Sequence, residues 1–332
     1  MSSAPTPAEI AHDARWLTQA LDPATGIVRL VAMTADEYRA AAFLDDRLLQ
    51  QTADARAVPW SQIFAAAALV RGDDARWIFH IGHVGSTLVA RLLGELPTVL
   101  AVREPRLLRD LCSVDGPSRA DYFPATRALF SRSFGAGQAA VVKATSFVSE
   151  IAPDLVGPAG RAAFLAAAPR NYIATILAGE NNIRELHALA PVRAQRMAER
   201  VRGLGSPTNA AELAAAAWAC EMTALEAAAE ALPDANIVWV DFDRLLDDVG
   251  GHLRQISEGL TLDAADQDLA ALAQSPLLKQ YSKAPEYEYS TRLRRDLIAE
   301  AAAHFANDID GALAMLDRAS EKSPLLARAL RR

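Results

Sequence analysis

The stretch WIFHIGHVGSTLVARLL (Trp77–Leu93) changes its periodicity partway along. Trp77–Ile81 is a short apolar run with the length of a buried strand. Gly82-His83-Val84-Gly85 is a glycine-bearing turn, and Ser86-Thr87 opens an amphipathic helical pattern. Strand, turn and helix in that order bring backbone N–H groups and a helix N-terminus to one point, an arrangement that suits an anion. The lysine of the ATP-binding loop, G-x-x-x-x-G-K-[ST], is missing. Ser86 or Thr87 serving only as a helix cap is the simpler alternative, and the neighbouring strand ends weigh against it.

Those strand ends appear as the pattern is followed outward. Val99–Val102 reads as a second short strand ending at Arg103-Glu104-Pro105, and QAAVVKATSF as a third ending in Lys143. RAAFLAAAP (161–169) and ANIVWVDFDRLL (235–246) read as two more, the last ending in Asp241-Phe242-Asp243. Helical patterns fall between them, at about 87–96, 119–134, 150–157, 171–187, 208–231 and 245–259, and through most of the C-terminus. Strands alternating with helices predict an α/β fold of three layers, α/β/α, around a mostly parallel sheet. Residues 7–21 and 34–70 read as helical, with a short strand at 26–31. The expected organisation is therefore a helical extension over 1–70, packed on an α/β domain over 71–332.

In such sheets ligands sit at the carboxyl ends of the strands. Lys143, delivered from a different strand, can replace the absent loop lysine as the cation for a phosphate or sulfate; the alternative is a lysine reaching to solvent. Glu104 is either a general base or a partner for Arg103, Arg106 or Arg109. Trp218 and Glu221, one turn apart, read as a core aromatic beside a surface acid. Asp241 and Asp243 could hold magnesium, although helix capping explains Asp243 more simply. The six histidines form no HxxxH pair, so no metal site is expected.

Composition sets the outer limits. The 332 residues are 51% hydrophobic and 23% charged, enough to bury a core. A net charge of −7 argues against broad binding to nucleic acid or anionic membrane. No secretory signal or stretch of about 20 apolar residues is visible. Cys112 and Cys220 form no disulfide or zinc pattern, and read as buried small hydrophobes in a reducing cytoplasm.

HIGHVGSTLVARLLGELPTVLAVREPRLL resembles the opening of the bacterial sulfotransferase-like proteins, whose fold is of the P-loop NTPase type. There a loop G-R-x-G-S-T-L-x-x-x-L-L is followed by a proline and then by E-P. The spacing from Pro97 to Glu104 is similar to that of tyrosylprotein sulfotransferases. The resemblance covers roughly residues 77–290 and implies a donor substrate, 3′-phosphoadenylyl sulfate. It places Gly82, His83, Val84, Gly85, Ser86 and Thr87 at the 5′-phosphosulfate, Glu104 as catalytic base and Lys143 beside the sulfuryl group. RNYIATIL resembles the strand–helix at the 3′-phosphate, with Thr175 in the place of a serine and Arg170 close by. YSKAPEYEYS falls at a C-terminal donor loop, which brings in Ser282 and Lys283. The chain departs from the pattern at His83, where Arg or Lys is usual, at Ala167, where an arginine is usual, and at Thr145, the place of a catalytic histidine in the cytosolic enzymes.

The expected function is sulfuryl transfer, without a metal, to a hydroxyl or amine of a small molecule or peptide. A magnesium-dependent kinase or NTPase on the same fold is the second expectation. A degenerate, non-catalytic binding protein is the third.

Overall fold

β4 (Arg76–His80) is the centre of a five-stranded sheet whose order is β5 (Val99–Arg103), β6 (Ala139–Lys143), β4, β7 (Arg161–Ala166), β8 (Asn236–Asp241). Every neighbouring pair is parallel. This computed structural model describes residues 4–49, 55–114, 119–279 and 290–332. The inner strands are buried along nearly their whole length, as continuous apolar runs such as WIF and AFL require when helices cover both faces. The α/β class expected from the alternation is the one observed.

The chain leaves β4 and crosses to β5, returns to β6 between them, then passes to β7 on the far side. Its direction therefore switches at β4, and the carboxyl ends of β4, β5 and β6 meet where such sheets hold their ligands.

The first seventy residues differ from the helical reading. Pro7–His12, Ala35–Ala40, Asp46–Leu49 and Trp60–Ala67 are helices, but β1 (Trp16–Asp22), β2 (Ile27–Ala32) and β3 (Ala55–Pro59) form an antiparallel sheet. WLTQALD has a helix-forming composition. The β-branched IVRLVA opposite it, reached through a turn at Gly26 (φ 67°), draws it into a ladder. The register slips between Thr18 and Ala20 and leaves Gln19 as a bulge residue, fully buried.

The helix expected over 171–187 is divided into Pro169–Leu177 and Glu180–Met197, with Gly179 as the cap of the second. None of the described helices is long and apolar enough to cross a membrane.

Candidate functional site

The turn after β4 is built from left-handed backbone. Gly82, His83 and Gly85 have φ of 84°, 55° and 60°. Glycine takes this region freely, whereas His83 is held there against a cost of order 1–3 kcal/mol. Successive left-handed residues curl N–H groups inward. Gly85 then caps the helix Ser86–Gly94, whose first-turn amides have no acceptor within the helix. Ser86 and Thr87 are buried at that end. Gly82 faces Ser146, just beyond β6: a Cβ built on it would stand 3.7 Å from the Ser146 hydroxyl.

His83 lies beside the two helices that follow β7. Its Nε2 is 3.9 Å from Glu185 on the helix Glu180–Met197, and the ring lies edge-on to Tyr172 at 6.5 Å. Gly82 is engaged as well, because its N–H donates to Nδ1 of His80 at 3.0 Å.

Glu104 and Lys143 meet. The Lys143 ammonium is ion-paired with Glu104 Oε1, and the Glu104 N–H donates to the Lys143 carbonyl at 2.7 Å. Lys143 is only 1% exposed, so it does not reach to solvent. Glu104 has φ 53°, a left-handed conformation that costs a residue with a Cβ roughly 1–2 kcal/mol, and here it turns the carboxylate toward β6. Two residues past Lys143, the Thr145 hydroxyl is enclosed without a hydrogen-bond partner among the described residues.

The arginines offered as alternatives for Glu104 are committed elsewhere. Arg106 pairs with Asp46 and Asp110, and Arg109 with Asp46. Arg103 is 2% exposed and donates to the carbonyls of Tyr38, Arg39 and Ala41, at 3.0 Å for Arg39. Burial brings its guanidinium down to about 10, still charged at neutral pH.

Those carbonyls bring the N-terminal segment to the site. Leu44 N–H donates to the Arg103 carbonyl at 2.8 Å, and the bulged Gln19 amide donates to the carbonyls of Leu44 and Asp45. The same segment sets the Phe43 ring 5.7 Å from the Lys143 ammonium, with the Arg47 guanidinium 3.4 Å from the ring centre. Nothing in the sequence singled out Phe43 or Gln19.

Phe242 closes the other side. A Cβ on Gly85 would lie 1.9 Å from its ring, so only glycine permits this packing. Arg294 stands 5.0 Å from the same ring and pairs with Asp243, which also accepts from the Asn171 amide at 2.9 Å. The capping role expected of Asp243 belongs to Asp241, which accepts from the N–H groups of Asp243 and Arg244. Both acids read as magnesium ligands are thus held by protein partners. Among the described residues no three His, Cys, Asp or Glu side chains are grouped to hold a metal.

The remaining expected residues are dispersed. Arg170 is half-exposed and pairs with Asp310 of a C-terminal helix. The Thr175 hydroxyl donates to the Asn171 carbonyl one turn back, at 2.7 Å. Ala167 is buried, and its carbonyl accepts from Trp218 Nε1. Ser282 and Lys283 lie outside the described residues. Glu221 is no surface acid: it is fully buried between Arg193 and Arg196, each 3.3 Å away. Complete burial pushes its carboxyl upward, against the pull of those two arginines.

No family model matches the chain, and no curated protein matches its sequence. Several solved structures are similar to it, among them two sulfotransferases. One is a sulfotransferase domain from the curacin biosynthetic pathway, at 12% identity and TM-score 0.40, over 71% of this chain and 98% of that one. The other is mouse sulfotransferase SULT7A1 complexed with PAP, at 10% identity and TM-score 0.42, over 78% of this chain and 89% of that one. At such identity and TM-score these likenesses carry nothing about ligand or chemistry.

Proposed function

We propose that the protein transfers a sulfuryl group from 3′-phosphoadenylyl sulfate to a hydroxyl or amine acceptor. The observation that carries this reading is the buried Glu104–Lys143 pair at the carboxyl ends of β5 and β6, beside the left-handed loop that ends β4. A carboxylate, a cation and the loop before a helix N-terminus lie at neighbouring strand ends there, which supports in-line transfer to such an acceptor.

In this reading the amides from His83 to Thr87, with the hydroxyls of Ser86 and Thr87, bind the donor's 5′-phosphosulfate. The acceptor oxygen attacks sulfur and its proton passes to the Glu104 carboxylate. The bond from sulfur to the bridging oxygen breaks, and the electron pair leaves with adenosine 3′,5′-bisphosphate, where the Lys143 ammonium stabilises it. The phosphate leaving group makes a metal unnecessary. Thr175, Ser282 and Lys283 are assigned to the 3′-phosphate end on the resemblance alone. Arg170, tied to Asp310, would have to leave its partner to take part.

Calorimetry with adenosine 3′,5′-bisphosphate, with and without magnesium, tests the donor. Binding that needs no magnesium supports the proposal. Binding of ATP only with magnesium would replace it by a nucleotide-dependent kinase or NTPase, and no binding of either would leave a non-catalytic protein. Turnover with labelled donor and a panel of hydroxylated acceptors then tests the reaction.

A further inference from the structure

His80 ends β4 and carries chemistry that neither the anion loop nor the ion pair has used. Its ring is 6% exposed and both nitrogens are engaged. The Gly82 N–H donates to Nδ1 at 3.0 Å, and Nε2 lies 3.0 Å from the Ala144 carbonyl. A backbone amide can only donate and a carbonyl can only accept. Both bonds exist together only if Nδ1 is bare and Nε2 carries the proton. The other neutral tautomer would set two donors face to face at Gly82 and two acceptors at Ala144. An imidazolium would keep the Ala144 bond and lose the one to Gly82.

These two bonds join the first residue of the loop to the residue after Lys143. Backbone pairing between β4 and β6 runs from Arg76 with Val141 to Ile78 with Lys143, closing with Ala144 N–H on the Ile78 carbonyl at 3.0 Å. Past that point the imidazole takes over from the ladder as the link between the two strand ends. The spacing between the amide cradle and the lysine is thereby fixed by a rigid ring rather than by a flexible side chain.

We infer that His80 is a positioning residue: as a neutral imidazole protonated on Nε2, it sets the loop of Gly82–Thr87 at the distance from Lys143 that a phosphosulfate needs. Its consequence for ligand binding rests on the proposed donor, and its hydrogen-bonding state does not.

Two substitutions separate geometry from bulk. His80→Gln can accept through Oε1 and donate through Nε2, so it can reproduce both bonds. His80→Phe fills the space and reproduces neither. In the wild type, ¹⁵N spectra of the imidazole should show the proton on Nε2. Gly82 amide exchange should be slow in the wild type and in His80→Gln, and at least about tenfold faster in His80→Phe, since the opened amide has no other acceptor among the described residues. Affinity for adenosine 3′,5′-bisphosphate should fall at least about tenfold in His80→Phe and be largely kept in His80→Gln. A proton on Nδ1 in the wild type, equal Gly82 exchange in wild type and His80→Phe, or equal affinity in all three proteins would overturn the inference. If the wild type does not bind the bisphosphate, the donor assignment fails, and the tautomer and Gly82 exchange decide the role of His80 by themselves. They also decide it if His80→Phe does not fold, with His80→Gln then required to keep the Gly82 amide protected.

Discussion

Glu104 and Lys143 are joined twice, through an ion pair between their side chains and through a 2.7 Å hydrogen bond from the Glu104 amide to the Lys143 carbonyl. The main-chain bond holds the left-handed turn at Glu104, and the turn delivers the carboxylate to the ammonium. Glu104→Gln keeps the shape and removes the proton acceptor. Turnover should drop by about 10²–10⁴ while bisphosphate affinity changes little. Single-turnover kinetics together with calorimetry check this, and unchanged turnover would sink the mechanism while leaving the fold intact.

Lys143→Met should act on both binding and turnover. It removes the leaving-group cation and also strands a partly buried carboxylate, at a stability cost of about 3–5 kcal/mol for a broken buried pair. Urea denaturation should show that loss in Lys143→Met, and a smaller one in the double variant with Glu104→Gln. Purely additive losses would mean that the pair is not a pair in solution.

Gly85→Ala meets two obstacles, a φ of 60° and a Cβ 1.9 Å from the Phe242 ring. The backbone alone accounts for roughly 1–2 kcal/mol. The clash should raise the total, and shortening the ring should relieve part of it. In a Phe242→Leu background the cost of Gly85→Ala should therefore shrink, with a coupling of about 0.5–3 kcal/mol in a double-mutant cycle. A coupling of zero would show that the ring moves aside freely.

Arg103→Lys should behave like a deletion. The guanidinium reaches three carbonyls from one planar fork, which a single ammonium cannot copy. A loss of about 2–3 kcal/mol is expected for either Arg103→Lys or Arg103→Met, measured by chemical denaturation. Wild-type stability in Arg103→Lys would contradict the clamp.

Cys220 should be silent to thiol reagents. Burial pushes its thiol up to about 12. Thiolate is the reactive form, so alkylation in a Cys112→Ser background should be roughly 10³ slower than for an ordinary thiol, until denaturant is added. Fast labelling of the native protein would show the helix Ala210–Ala231 to be open.

Much of the sheet could be read from the sequence because its signals are local. Buried parallel strands are apolar runs, and polar residues mark where they end, as at Glu104 and Lys143. The antiparallel sheet near the N-terminus was hidden because Trp16–Asp22 has no intrinsic strand preference and takes its conformation from β2. Contacts across long stretches of chain were equally hidden: Phe242 on Gly85, Phe43 beside Lys143, and the guanidinium of Arg103 on the carbonyls around residue 40 depend on how elements pack. Helical spacing said that Glu221 lies on a helix, but not that two arginines from a neighbouring helix bury it.

The bulge at Gln19 has a consequence for the order in which the protein is made. Gln19 holds Leu44, and Leu44 grips the end of β5, so residues synthesised first wait for partners more than fifty positions later. β6 follows later still, and β4 can acquire its neighbour β7 only after residue 161 has emerged. Through that interval the apolar strands β4 and β5 lack the neighbours that flank them in the finished sheet. Stalled or truncated chains ending before Lys143 would therefore be the aggregation-prone species, and would depend most on chaperones.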